Sequence, residues 1–101
     1  MTPNEVLLVV CGMLLQKPEF VTSEKRHHEL MLARHLWVYI LRSHYGMGVR
    51  EIARLTGKAD FSVRNSVANA EDLIVTDRRF REAHNRALLE IATRAMPDSA
   101  Q

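Results

Sequence analysis

The sequence predicts an all-α domain of five to six helices around one core, and three observations carry that prediction. Apolar residues recur at three- and four-residue spacing along most of the chain, and no stretch alternates with the period of a strand. Residues that start or stop helices, Thr2-Pro3, Lys17-Pro18, Gly46, Gly48, Gly57 and Thr76-Asp77, fall between those periodic stretches. Of 101 residues, 47% are hydrophobic and 26% charged, with Gly at 4 and Pro at 3 positions, as in a compact helical soluble domain. That length supports one core without disulfide or metal, so residues 1–101 read as a single domain, ordered over about 3–95, with a polar C-terminal tail.

The elements follow in order. Thr2 is placed to cap a first helix over 3–16, with Pro3 at its first position and Glu5 completing a capping box. Lys17-Pro18 ends it, since the residue before proline avoids helical geometry, and PEFV (18–21) makes a short turn that can bury Phe20. Ser23 is the next candidate cap, before a long central helix over about 25–45. There Leu30, Ala33, Trp37, Ile40, Leu41 and His44 recur at helical spacing, while Met31, Val38 and Tyr45 widen the face. Gly46 and Gly48 break that helix. GVREIARLTG gives a short one with Val49, Ile52, Ala53 and Leu55 inward, closed by Gly57 in left-handed geometry. A further helix opens near Asp60, whose charge suits the positive helix end, with Phe61, Val63, Val67, Ala70, Leu73 and Ile74 as its apolar positions. Either Thr76 or Asp77 caps the last helix, which carries Phe80, Ala83, Ala87, Leu88, Ile91 and Ala92 before Pro97.

Charge and cysteine usage set the surroundings. Fourteen basic against twelve acidic residues leave +2, too mild a balance to decide for or against a nucleic-acid partner. A lone Cys11 excludes an intrachain disulfide, fits a reducing cytoplasm and reads as a small core hydrophobe. The run VLLVVCGMLL (6–15) lacks signal-peptide flanks and falls short of the roughly 20 residues that cross a bilayer, so no membrane partner is expected.

The stretch REIARLTGKADFSVRNSVA (50–68) carries the functional signal. Ala53, Gly57 and Val63 stand where a helix-turn-helix needs a small residue at the crossing, a glycine in the turn and a buried anchor on the second helix. An ordinary helical corner is the competing reading. A DNA reader also needs hydrogen-bonding residues on the exposed start of the second helix, and Lys58, Asp60, Ser62, Arg64, Asn65 and Asn69 offer them. Arg64 can take a guanine, Asn65 or Asn69 an adenine, and Ser62 and Lys58 phosphates; a merely solvated polar face is the alternative.

Beyond that corner, LAR (32–34), REIARLTG (50–57) and EDLIVTDRRFRE (71–82), with the apolar first helix, PEF and a basic segment in order, carry a resemblance. Over about residues 3–95 the chain resembles the C-terminal DNA-binding domain of the bacterial replication initiator DnaA, a Trp repressor-like helical domain. The resemblance implies double-stranded DNA as partner in a bacterial or phage cell, in replication initiation or transcription regulation. It places the second helix of the turn unit in the major groove and a basic loop before the long helix on phosphates and the adjacent minor groove. In this sequence the loop residues are Lys25, Arg26, His27 and His28, with Arg50 as a further phosphate contact.

Departures from that family qualify the target. Its recognition helix opens with glycine-arginine-aspartate-histidine-threonine-threonine-valine; here Gly57-Lys58-Ala59-Asp60-Phe61-Ser62-Val63 follows Glu51-Ile52 one residue sooner. Either Asp60 stands for the aspartate with Phe61 for the histidine, or Ala59 stands for the aspartate; both leave the histidine missing. The minor-groove arginine falls on His28, and a neutral imidazole is a poor substitute for a guanidinium. The expectation is DNA binding without the initiator's own box specificity.

The initiator's nucleotide machinery has no counterpart, since no GxxxxGK[ST] loop occurs, so no nucleotide and no cofactor are expected. Met1 directly before the capping sequence favours a stand-alone relative over an excised domain. His27 and His28 diverge around a helix, His35 and His44 lack ligand partners one turn away, and His84 falls on a charged face, so no metal is expected. Glu51, Glu71 and Asp72 lack a nucleophile and Ser62 lacks an elbow context, which gives no enzyme case. The rival reading is a protein-interaction or dimerisation module for a replication or regulatory protein, with Phe61 as exposed anchor extended by Met31, Tyr45 and Met47.

Overall fold

The capping box at the N-terminus forms as the sequence predicts. In the computed structural model, which describes residues 1–23 and 27–95, Thr2 Oγ1 accepts from the Glu5 amide at 3.2 Å and the Glu5 carboxylate accepts from the Thr2 amide at 3.1 Å. The helix α1 (Pro3–Leu14) stops two residues before the expected end because Leu15 turns left-handed at φ 56°. Next, α2 (Pro18–Val21) buries Val21 and half-buries Phe20, whose ring lies 5.6 Å from the Lys17 ammonium. The long helix α3 (His28–Ser43) follows, then α4 (Val49–Thr56), α5 (Asp60–Thr76) and α6 (Arg78–Ala95). The described residues are thus all-helical in six elements.

Several boundaries are decided by local bonds. Ser23 does not cap α3: its hydroxyl donates back to the Phe20 carbonyl at 2.6 Å, and His27 occupies the cap position. The first expected residues of that helix, 25 and 26, lie outside the described residues. Of the two candidate caps for α6, Asp77 takes the role, accepting from the Phe80 amide at 3.0 Å, while the Thr76 hydroxyl donates to the Asp72 carbonyl.

The core is centred on α3, which buries every residue from Leu32 to Val38 and so is covered on all sides along that stretch. It packs along α1 and α5, with α2 and α4 at its ends and α6 closing the bundle against α1 and α5. Trp37 donates from Nε1 to the Pro3 carbonyl at 2.9 Å, which fastens the start of α1 to α3. Phe80, Leu36, Ile40 and Ile52 are among the largest fully buried side chains, and Cys11 is buried with them.

Four apolar assignments change. Leu55 is 46% exposed, because Val49, Ile52, Ala53 and Thr56 form the inward stripe of α4 and Leu55 lies about a third of a turn away. Thr56 fills that stripe with its hydroxyl bonded to the Ile52 carbonyl at 2.8 Å. Phe61 is 71% exposed, on the side of α5 opposite Val63 and Ala70. Ala92 is exposed beside the inward Ile91, and His44 is exposed at the end of α3, set edge-on to the Tyr45 ring at 4.9 Å. His84 departs from its expected charged face: it is half-buried, 5.5 Å from the Tyr39 ring.

Candidate nucleic-acid interface

Two helices and one glycine shape the candidate interface. The α4 chain ends at Gly57, whose φ of 69° lets the backbone reverse, and the Lys58 amide donates to the Ala53 carbonyl at 3.1 Å to close the turn. Glu51 closes the other end of α4 by accepting from the Gly48 amide at 3.4 Å. Ile52, Ala53 and Val63 are buried beneath the corner, as the spacing requires. On its outer side α5 presents Phe61, Ser62, Arg64, Asn65, Ala68 and Asn69 to solvent.

The expected reading residues divide into two faces. Phe61 and Arg64 point outward, whereas Lys58, Ser62, Asn65 and Asn69 line a groove of about 530 Å³ between α5 and the start of α3. The far wall of that groove is Val21, Thr22 and Met31, and its floor includes Arg34, His35 and Ser66. Among the described residues, no carboxylate lines it, and Lys58 and Arg34 give it positive charge. Among the described residues, Lys58, Ser62, Asn65 and Asn69 have no side-chain hydrogen bond to protein, so their polar groups stand ready for a ligand.

Two of the expected contact residues also meet each other. Arg50 and Asp60 form an ion pair at 3.7 Å between exposed side chains, so Asp60 offsets part of the charge Arg50 brings to the corner. His27 and His28 are exposed at the start of α3, and Lys25 and Arg26 lie outside the described residues. Tyr45 and Met47 are half-buried against the core and Met31 is half-buried at the groove, where its sulfur accepts from Arg34 at 3.1 Å, whereas Phe61 stands out.

Sequence reading missed the buried polar groups behind this surface. Arg34 donates from Nε to the Val21 carbonyl at 2.9 Å and from Nη2 to the Ser23 carbonyl at 2.8 Å, tying the end of α2 to α3. His35 Nδ1 lies 3.0 Å from Ser66 Oγ, with both residues more than nine-tenths buried. Burial, and then the neighbouring Arg34, holds the imidazole pKa below its ordinary value. The available signal was a charged and a polar residue, Arg34-His35, set between Ala33 and Leu36 in the long central helix; the partner of His35 lies 31 residues away and carries no local mark.

The chain is similar to the chromosomal replication initiator protein DnaA of Kosmotoga olearia, 33% identical over 58 residues. That stretch covers 57% of this chain and 13% of the relative, so the chain corresponds to a small part of the longer protein. No family model matches the sequence. Among the described residues, no helix is long and apolar enough to cross a membrane, and no three His, Cys, Asp or Glu side chains gather as metal ligands.

Proposed function

We propose that this chain binds double-stranded DNA through a helix-turn-helix of the Trp repressor and DnaA C-terminal kind, formed by α4, the Gly57 turn and α5. In this reading α5 enters the major groove, and the basic segment before α3 reaches phosphates. The observation that carries the reading is the α4–α5 corner: Ile52, Ala53 and Val63 anchor it from below, and unpartnered Arg64, Asn65 and Asn69 stand on its open side. The partial similarity to DnaA supports it independently. The role is non-catalytic and cytoplasmic, in control of a replication origin or of transcription, with neither cofactor nor nucleotide.

The test is the salt dependence of duplex binding. In this reading Lys25, Arg26, Arg50 and Lys58 reach phosphates, Arg50 from its exposed ion pair with Asp60. At about −0.9 per phosphate, four contacts give a log–log slope of about −4. Binding indifferent to salt would remove the reading. The second reading, a protein-interaction surface, is favoured by Phe61 and Leu55, exposed at 71% and 46% on the same corner. Absence of any duplex binding, with self-association or partner capture lost on Phe61→Ser, would select it.

A further inference from the structure

The buried His35–Ser66 contact joins α3 to α5 at the level of the groove. Both helices otherwise bury chiefly aliphatic side chains, among them Ala33, Leu36 and Ile40 on α3 and Val63 and Ala70 on α5. Apolar contact is non-directional and leaves a helix free to roll by a few degrees on its neighbour. A hydrogen bond at 3.0 Å between groups this deeply buried is directional, and leaving either end unpaired is unfavourable. Ser66 follows Asn65 directly and precedes Asn69 by three residues, so its angular position around α5 fixes theirs.

We propose that His35 and Ser66 are positioning residues that set the rotation of α5 and thereby the sequence preference of the DNA-reading face. The proposal rests on the DNA-binding reading and goes further, because neither residue touches the duplex. Loss of the bond lets α5 roll, which moves Asn65 and Asn69 off base edges, where geometry is strict. Phosphate contacts through the long, flexible Lys58 side chain tolerate the same movement.

The experiment measures binding to a preferred duplex, obtained by selection from a random pool, and to a scramble of equal length and composition, at fixed salt. Ser66→Ala and His35→Leu are each expected to lower the preferred-to-scrambled ratio at least fivefold while scrambled binding stays within about twofold. Together they should lower it no further than either alone. His35→Asn, whose amide can reach the Nδ1 position, is expected to restore most of the ratio. Should His35→Leu fail to fold, Ser66→Ala alone decides, as the smaller change. An unchanged ratio in folded Ser66→Ala overturns the positioning role and leaves DNA binding standing; wild-type protein that binds no duplex overturns both.

Discussion

His35 shows what a single buried side chain adds to this chain. Its imidazole sits against Ser66, more than nine-tenths buried, beside Arg34 and within reach of the groove that Lys58 also lines. Burial and the Arg34 charge disfavour the imidazolium, so the folded chain takes up that proton less readily than the unfolded chain. Well above the ordinary histidine pKa both states are neutral there and the group has no effect on stability. As pH falls through about 6.5 the unfolded state gains the proton first, so stability falls with it. Denaturant unfolding at about pH 5 and about pH 7.5 should therefore show a loss in wild type that is smaller in His35→Gln. Equal losses in the two proteins would mean that another group carries the acid sensitivity. Cys11 is the contrasting case at this scale: burial, then Glu19, pushes its thiol pKa up to about 11, which keeps it protonated and inert as packing material.

At the scale of the elements, two glycines with equal space around them should respond with opposite sign. A Cβ on Gly12 or on Gly57 would meet nothing within 4 Å, so neither substitution clashes. Gly12 lies in the last turn of α1, where alanine is still the better helix former, by up to about 0.8–1 kcal/mol. Gly57 holds φ 69°, which costs an L-residue about 1–2 kcal/mol. Gly12→Ala should raise the thermal midpoint and Gly57→Ala should lower it, measured by circular dichroism on the same day and buffer. A Gly57→Ala protein as stable as wild type would show that the turn does not depend on left-handed geometry. These elements were legible because their signals are local: Thr2 with Glu5, Gly57, and the three- and four-residue spacing of Leu30, Ala33, Trp37 and Ile40 all lie within a turn or two of what they determine. Leu55 and Ala92 were misplaced because hydrophobicity alone does not say which edge of a stripe finds a neighbour. Arg34 and His35 were illegible for a different reason: their partners, Val21, Ser23 and Ser66, come near only once the helices have packed. The exposed polar residues of the proposed reading face were visible in the sequence, but their division into outward Phe61 and Arg64 and groove-lining Ser62, Asn65 and Asn69 follows from the rotation of α5.

At the scale of the whole molecule, the DNA-binding proposal turns on where positive charge is left unpaired. Three exposed ion pairs on other surfaces offset part of the basic charge: Arg79 meets Glu29 at 3.2 Å, Arg78 meets Glu82 at 3.0 Å and Arg94 meets Glu90 at 2.9 Å. Lys58 and Arg64 at the α4–α5 corner stay outside such pairs, so a molecule of net charge +2 can still concentrate positive potential there. Electrostatics of that kind orients a duplex without choosing its sequence; in the proposed reading that choice falls to Phe61, Arg64, Asn65 and Asn69. Phe61, 71% exposed near the start of α5, can press against a thymine methyl but offers no hydrogen bond. The histidine that the initiator family carries in this run has no counterpart, and at about 1–3 kcal/mol for each base contact, two lost contacts remove about 2–6 kcal/mol of discrimination. The expected outcome is therefore a preference of less than about tenfold, or about 1.4 kcal/mol, for an initiator-box duplex over its scramble in direct competition at fixed salt. Phe61→His restores an imidazole at this position and should raise that preference if the rest of the corner retains the family's geometry. A wild-type preference well above tenfold would place this chain among ordinary initiator domains and would show that Phe61 does not carry the change of target.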